Sequence, residues 1–165
     1  MSLKSRLRFD VDQGALYDTD RRYLLMRPDV LMGAVRALPP SAREQFLGAL
    51  SESARTYVAS SLAAYAAQAQ GDAGALVQFT VDAARDLGWG LWQVHGSPPH
   101  QWLRVRHSPF AQGYGTSDIE VCAPIAGVFL ALMSQVLGAT VRVREVGCVA
   151  TGHEFCEFEL LPRGS

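Results

Sequence analysis

The sequence predicts an α+β protein in which an antiparallel sheet is covered by helices. Between residues 41 and 87, apolar side chains recur at steps of three and four, which is the spacing of a buried helical face. After Gly88 apolar and polar residues alternate instead, as in strands, apart from one helical stretch near Pro124. The predicted order is hairpin, helices, hairpin, helix, hairpin. Because no long linker divides the 165 residues, we expect a single domain with three consecutive parts, 1–28, 29–88 and 89–161.

The first part, residues 1–28, predicts a hairpin. Residues 7–11 alternate between apolar and polar side chains. The apolar residues of 14–26 surround a polar centre, Asp18-Thr19-Asp20, which is a candidate for the turn.

The second part, residues 29–88, predicts three helices. Asp29 is a candidate N-cap for the first helix, and Ser41 with Glu44 forms a capping box for the second. Asp72 is a candidate cap for the third helix, which Gly88 ends. The predicted buried face of the second helix comprises Phe46, Leu47, Leu50, Ala54, Tyr57, Val58, Leu62 and Tyr65. Because these helices carry more apolar surface than one small sheet covers, we expect a symmetric homodimer, which is the commonest closed assembly.

The third part, residues 89–161, predicts two hairpins on either side of a helix. Its elements are, in order, a hairpin over 92–105 that turns at 96–99, a loop through Pro109 and Gly115, a helix from Pro124 to Gly138, and two strands over 140–149 and 153–161.

The composition excludes several classes of protein. Hydrophobic residues make up 48% of the chain and charged residues 19%, so the chain can bury a core. The net charge of −1 gives no general attraction to nucleic acid or to an anionic membrane surface. No apolar run reaches the ~18 residues of a spanning helix, and the N-terminus lacks the apolar core of a signal peptide. We therefore expect a cytoplasmic protein that binds neither nucleic acid nor membrane directly.

The chemically informative residues are three cysteines and one glutamate in the last third of the chain. Alternation directs Glu145 to the same buried face as Val143, where a carboxylate costs several kcal/mol unless it has a partner. Cys156 lies on the apolar face of the last strand, and a bulge before Cys148 would turn that thiol to the same side. Cys122 lies near a helix start, where thiolates are stabilised.

These four side chains could converge on one metal ion. Three thiolates and a carboxylate form a closed four-ligand shell that suits Zn²⁺, with Zn–S distances of ~2.3 Å. Soft sulfur ligands disfavour calcium and magnesium.

Other interpretations of these residues remain open. Free cysteines are often small buried hydrophobic residues. Cys148 and Cys156 are roughly opposite each other and could form a cross-strand disulfide, which is uncommon in the cytosol. His153 could replace Glu145 as the fourth ligand, although its position in a turn favours an exposed side chain. No nucleophile–base arrangement and no Gly-rich dinucleotide motif stands out, so we predict no catalytic residue and consider enzymatic activity doubtful.

The same residues resemble the motif of the 4-vinyl reductase domain family. The family pattern is a cysteine before a glycine-containing helix, then Glu-x-x-Cys in a strand, then a glycine and Cys-x-Phe. Here it reads Cys122 to Gly127, Glu145-Val-Gly-Cys148, Gly152 and Cys156-Glu-Phe158. Residues 108–111, Ser-Pro-Phe-Ala, resemble the turn that usually precedes the first cysteine. The resemblance extends from Trp102 to Leu161.

The resemblance implies a metal centre, a fold and an assembly. Cys122, Glu145, Cys148 and Cys156 match the zinc ligands of the phenol-sensing relatives. The fold of such domains is similar to that of vesicle transport-particle subunits, and they often dimerise through their N-terminal and helical parts. Because a zinc ion with four protein ligands keeps no open position, its role is expected to be structural.

The resemblance also implies a pocket for a small hydrophobic or aromatic ligand between the sheet and the helices. In the phenol sensors a tryptophan and a histidine orient the phenolic hydroxyl. Trp102 lies within one residue of the expected tryptophan, and His107 is the candidate histidine. We expect the pocket to be lined by aromatic and histidine side chains of the third part: Trp92, Trp102, His107, Phe110, Tyr114 and Phe129.

Three functions are compatible with these expectations. The first is a zinc-stabilised binding domain for a small hydrophobic ligand, acting as sensor or carrier. The second is an enzyme or accessory subunit that acts on a vinyl tetrapyrrole. The third is a dimeric scaffold protein with an incidental cavity.

Overall fold

The computed structural model describes residues 3–97 and 100–161, and within them the chain forms six α-helices and seven strands. The helices are α1 (Leu3–Arg6), α2 (Pro28–Ala37), α3 (Pro40–Gln68), α4 (Ala73–Asp86), α5 (Pro109–Tyr114) and α6 (Ala123–Leu137). The strands are β1 (Leu7–Asp10), β2 (Ala15–Asp18), β3 (Arg21–Tyr23), β4 (Leu91–Ser97), β5 (His100–Arg106), β6 (Arg142–Gly147) and β7 (Cys156–Leu161). The predicted α+β class with an antiparallel sheet is confirmed.

The main sheet is antiparallel, with the strand order β4-β5-β7-β6. Leu103 of β5 lies opposite Val94 on one side and Phe158 on the other, and these side chains belong to the core or pack against it. Alternation along the strands gives the sheet one apolar face toward the helices and one face rich in charge. The register between β6 and β7 shifts between Glu145 and Gly147, so the predicted bulge is confirmed.

Helix α6 is the centre of the core and packs closely against α3. Most of its side chains are buried, and Gly138 in the left-handed conformation ends it, as predicted. Gly127 is the point of closest approach, because a Cβ atom there would lie 2.0 Å from the carbonyl oxygen of Ser51. The glycine thus allows the backbones of the two helices to touch.

The N-terminal segment forms a small antiparallel sheet in the order β1-β2-β3. The predicted hairpin with its turn after Asp18 is confirmed, since Asp18 lies opposite Arg21. The structure adds β1 as a third strand. This sheet and α1 lie against α3 and α4, with the backbone N–H of Lys4 donating to Asp86.

Three predictions about helix termini and loops were wrong. Helix α2 begins at Pro28 with no side-chain cap, and Asp29 lies inside its first turn. Helix α3 begins at Pro40, also without a side-chain cap, so Ser41 and Glu44 form no capping box. In both helices a proline occupies the first turn, where its missing N–H costs nothing.

The third concerns the stretch from Pro109 to Tyr114, which was predicted as part of a loop and is the short helix α5. The side chain of Ser108 caps this helix by accepting a hydrogen bond from the Ala111 N–H. By contrast, the predicted cap at Asp72 is confirmed, because its carboxylate accepts from the Ala75 N–H at 3.1 Å. The hairpin of β4 and β5 is confirmed as well, although residues 98 and 99 of its turn lie outside the described residues.

The predicted buried face of α3 is only partly buried. Leu47 and Leu62 are in the core, whereas Tyr57 is 78% exposed and Phe46 is also exposed. The helix is 29 residues long, and α6, against which it packs, has 15. Apolar positions of α3 therefore remain uncovered in a single chain.

Candidate functional site

Cys122, Glu145, Cys148 and Cys156 converge in the structure although they come from four different places in the chain. Cys122 is the residue before α6, Glu145 points inward from β6, Cys148 follows the bulge and Cys156 begins β7. Their ligand atoms all lie within 4.8 Å of one another, and the three thiols are buried. This arrangement could hold a metal ion.

The spacing of the sulfur atoms fits a tetrahedral site. The Cys122 Sγ lies 3.8 Å from Cys148 Sγ and 3.5 Å from Cys156 Sγ, and the last two sulfurs are 3.9 Å apart. Four ligand atoms at ~2.3 Å from one zinc ion would be about 3.8 Å apart. The three thiols are therefore already at the separation that a shared ion needs.

Glu145 supplies an independent test of the fit. Its Oε2 accepts a hydrogen bond from the backbone N–H of Cys122 at 3.0 Å. Its Oε1 is buried and has no hydrogen-bond partner among the described residues. A buried carboxylate oxygen without a partner is costly, so this atom is suited to bind a cation at the centre of the cluster.

The cluster strongly perturbs the acidity of its own members. Burial raises the pKa of Glu145 to about 9. Hydrogen bonds from Cys122 and Cys148 lower the pKa of Cys156 to about 4, whereas the contacts with Cys148 and Cys156, together with burial, raise the pKa of Cys122. One thiolate is thus stabilised by its neighbours, and a metal ion would have to displace the remaining protons.

Two groups outside the cluster hydrogen-bond its sulfur atoms. The Ser108 hydroxyl lies 3.1 Å from Cys122 Sγ, and the Val149 N–H donates to Cys156 Sγ at 3.4 Å. Such outer contacts orient ligands and offset the negative charge of a thiolate-rich site. The sequence analysis did not identify Ser108 as part of the site. Its signal was the Ser-Pro pair of a helix start, since the same hydroxyl also caps α5.

The open alternatives for these residues are now distinguished. All three cysteines are free, so the cross-strand disulfide is absent from the described structure. His153 is exposed and is not a member of the cluster. Its ring instead packs on Gly147, where a Cβ atom would approach its Nδ1 to 2.9 Å.

A separate apolar cavity of about 360 Å³ lies between the N-terminal sheet, α3, α4 and the start of β4. Its walls include aromatic rings from each of these elements, namely Tyr23, Tyr65, Phe79, Trp89 and Trp92. This volume is at the low end of the range for small-molecule sites, and the mainly apolar walls are typical of such sites.

A polar cluster borders this cavity. Arg6 Nε and Nη2 each donate to an oxygen of Asp18 at 3.0 Å, and Nη2 also donates to the Tyr65 hydroxyl. Asp18 is only 5% exposed, so the ion pair neutralises a buried carboxylate. The sequence analysis did not predict this cluster.

The residues expected to line the ligand pocket lie in several different places. Trp92 borders the cavity, and Phe110 borders a neighbouring groove beneath residues 24–28. His107 lines a shallow depression near Glu154. Tyr114 and Phe129 are buried in the core.

Trp102 is 41% exposed and stacks on His95 on the charged face of the main sheet. It borders none of the cavities described above. Alternation explains this position, because Leu103 and Val105, the inward residues of β5, are both fully buried.

Among the residues that the structure describes, no helix has the length and apolar character needed to cross a lipid bilayer.

Comparison with known sequences identifies relatives of the part of the chain that holds the metal cluster. The family model of the 4-vinyl reductase domain matches residues 102–162. The "Bacteriochlorophyll synthase 23 kDa chain" of Cereibacter sphaeroides is 36% identical over 77 residues, which are 47% of this chain. The match spans only 36% of the length of that relative.

Comparison with solved structures extends the similarity of fold to nearly the whole chain. The phenol-responsive sensory domain of the transcription activator PoxR, solved with phenol, has a TM-score of 0.79 at 19% identity, covering 97% of this chain and 86% of that chain. A vinyl-4-reductase family protein from Methanocaldococcus jannaschii has a TM-score of 0.52 at 13% identity, over 84% and 96%. A trafficking protein particle complex subunit 3 from Naegleria fowleri aligns with a TM-score of 0.46 at 12% identity, over 81% and 93%.

The four clustered residues lie inside the matched segment, and their spacing is the one that indicated the family from the sequence. Through residues 102–162, the chain therefore belongs to the 4-vinyl reductase domain family.

Proposed function

We propose that this protein is a zinc-stabilised binding domain for a small hydrophobic or aromatic ligand, acting as a sensor or carrier. The observation that carries the proposal is the apolar, aromatic-walled cavity of about 360 Å³ beside a polar cluster, in a chain whose fold is that of a phenol-responsive sensory domain.

The proposed metal ion is zinc, and its proposed ligands are Cys122, Glu145, Cys148 and Cys156. Three sulfur ligands and one carboxylate suit zinc, whereas calcium and magnesium prefer oxygen ligands alone. The separation of the sulfurs and the unpaired Glu145 Oε1 support this assignment.

The proposed role of the zinc is structural. With four protein ligands the ion has no open position for water or substrate. It would join the last hairpin to the start of α6, so that metal binding contributes directly to the free energy of folding. We propose a cytoplasmic location, because the thiols of such a site stay reduced there.

A second candidate function follows from the name of the curated relative. A bacteriochlorophyll synthase chain suggests an enzyme, or an accessory subunit, that acts on a vinyl tetrapyrrole. The size of the cavity argues against this candidate, because a tetrapyrrole macrocycle needs far more room than about 360 Å³. A pigment that co-purifies with the protein and absorbs visible light would favour the tetrapyrrole function.

The third candidate is a dimeric scaffold with an incidental cavity. It shares the expected homodimer with the first candidate but predicts no response to ligand. Ligand binding therefore separates the two.

The test combines metal analysis with ligand-dependent melting. Freshly purified protein should contain one zinc per chain by elemental analysis, and phenol should raise its melting temperature, because any ligand selective for the folded state stabilises it. Trp92→Leu should reduce the shift caused by phenol and leave the zinc content unchanged. Trp102→Leu is the matched control, since Trp102 lies on the opposite face of the sheet.

The possible results have distinct meanings. Loss of the phenol shift in Trp102→Leu but not in Trp92→Leu would move the ligand site to the charged face of the sheet. Absence of any shift with a panel of phenols and alkylbenzenes would favour the scaffold. Protein without stoichiometric metal would refute the zinc proposal.

A further inference from the structure

The charged residues around the apolar cavity do not balance. Arg6, Arg21 and Arg22 border it, together with one carboxylate, Asp18. Asp18 is already committed to Arg6 through two hydrogen bonds of 3.0 Å. The border of an otherwise apolar cavity therefore carries an excess of positive charge.

The two arginines of β3 have no acidic partner among the described residues. Arg21 donates to the hydroxyl groups of Ser60 and Ser61, which are neutral. Arg22 forms an ion pair with none of the carboxylates that the structure describes. Both cations are exposed, so an entering ligand can meet them before it reaches the apolar interior.

Tyr65 supplies a polar atom deeper in the same site. Its oxygen accepts a hydrogen bond from Arg6, so its own proton remains available to donate. Its ring lies against Phe79 with a centroid separation of 3.5 Å, and both rings line the cavity. Aromatic walls and a hydrogen-bond donor thus lie next to the uncompensated cations.

We propose that the cavity selects an aromatic carboxylate, whose ring lies against Tyr65 and Phe79 and whose carboxylate faces Arg21 and Arg22. This inference rests on the proposed function, since it requires that the cavity bind a ligand. Guanidinium groups bind carboxylates through short, charge-assisted hydrogen bonds, as Arg6 already does with Asp18. A neutral phenol offers only a hydroxyl to the same cations.

A pair of ligands that differ only in charge tests this selectivity. We choose 4-propylbenzoate and 4-propylbenzamide, which have the same ring and alkyl chain, and measure dissociation constants by titration calorimetry at physiological salt. The benzoate should bind at least about tenfold more tightly, which is the effect of one charge-assisted hydrogen bond. Equal or tighter binding of the benzamide would overturn the proposal and leave the ligand-binding function intact.

Variants locate the source of the preference. The double variant Arg21→Gln with Arg22→Gln should weaken benzoate binding about 10- to 100-fold and change benzamide binding less than about twofold. Tyr65→Phe should weaken binding of both ligands by about two- to tenfold. Arg6 is left unchanged, because its loss would leave Asp18 as an unpaired buried charge.

Arg8→Gln is the matched control for charge. Arg8 belongs to the same small sheet but pairs with Asp10 at 3.2 Å and does not border the cavity. It should retain the benzoate preference. An equal loss of affinity in Arg8→Gln would show general attraction rather than recognition and would overturn the proposal. Failure of benzoate, benzamide and phenol alike to bind would overturn both this inference and the proposed function.

Discussion

Glu145 is the residue whose environment depends most on a bound metal ion. One of its oxygens accepts the Cys122 N–H at 3.0 Å, and the other is buried without a partner among the described residues. Burial also raises the pKa of this carboxyl group to about 9, so the metal-free site holds it in the neutral form at pH 7. A cation at the cluster centre would pair with the second oxygen and favour the charged form.

The first prediction separates Glu145 from His153 as the fourth ligand. Glu145→Gln keeps the size of the side chain but removes its charge, so zinc affinity should fall at least about tenfold. His153→Ala is the control and should retain full affinity, because this side chain lies outside the cluster. Competition with a chromophoric zinc chelator measures both variants.

The opposite pattern, with affinity lost in His153→Ala and kept in Glu145→Gln, would contradict the ligand set. Melting of the metal-free proteins serves as a further control. Without metal, Gln replaces a neutral carboxyl group, and the two forms should melt at similar temperatures.

The clustered residues were predictable from sequence because strand alternation and a family spacing both constrain them. The inward position of Glu145 follows from Val143, and the bulge follows from the glycine before Cys148. The contact between Arg6 and Tyr65 was not predictable, because it joins residues 59 positions apart through a packing of helix and sheet that no local pattern encodes.

At the scale of elements, the contact between α3 and α6 is the one most sensitive to a single atom. A Cβ atom at Gly127 would lie 2.0 Å from the Ser51 carbonyl oxygen and 2.9 Å from its carbonyl carbon. Both are backbone atoms of α3, so no side chain can rotate away. The helices would have to separate, and the base of α6 carries Cys122.

The second prediction is that Gly127→Ala destabilises the protein by about 1–3 kcal/mol or more, as overpacked cores do. Gly48→Ala in α3 is the matched control. No atom lies within 4 Å of a Cβ at that position, so the change should be neutral or stabilise by up to about 1 kcal/mol. Urea unfolding of the zinc-bound proteins measures both, and equal stability of the two variants would contradict the close contact.

The elements themselves were largely predictable, and their termini were less so. The helix cap at Asp72 followed a local rule, as did the glycine that ends α6. The starts of α2 and α3 did not, because a proline in the first turn removes the need for a capping side chain. The short helix α5 was missed because six residues are too few for a periodic pattern.

At the scale of the whole molecule, the apolar surface is concentrated on one region. Leu24 and Leu25 are 77% and 82% exposed, and Phe9 and Met26 of the same N-terminal segment are also exposed. Contiguous exposed apolar residues of this kind usually mark an interface. The uncovered apolar positions of α3, Phe46 and Tyr57, add to the surface that a single chain leaves open.

The last prediction is a homodimer that uses the N-terminal segment. Light scattering after size exclusion at micromolar concentration should give about twice the chain mass of 17.9 kDa. A double substitution, Leu24→Ser with Leu25→Ser, should shift the protein toward the monomer, because it removes apolar area from the centre of the interface at about 25 cal/mol per Å². Leu91→Ser, which changes an equally apolar and exposed residue at the start of β4, should leave the dimer intact. A wild-type mass near that of one chain would contradict the dimer, and dissociation by Leu91→Ser alone would move the interface to the main sheet.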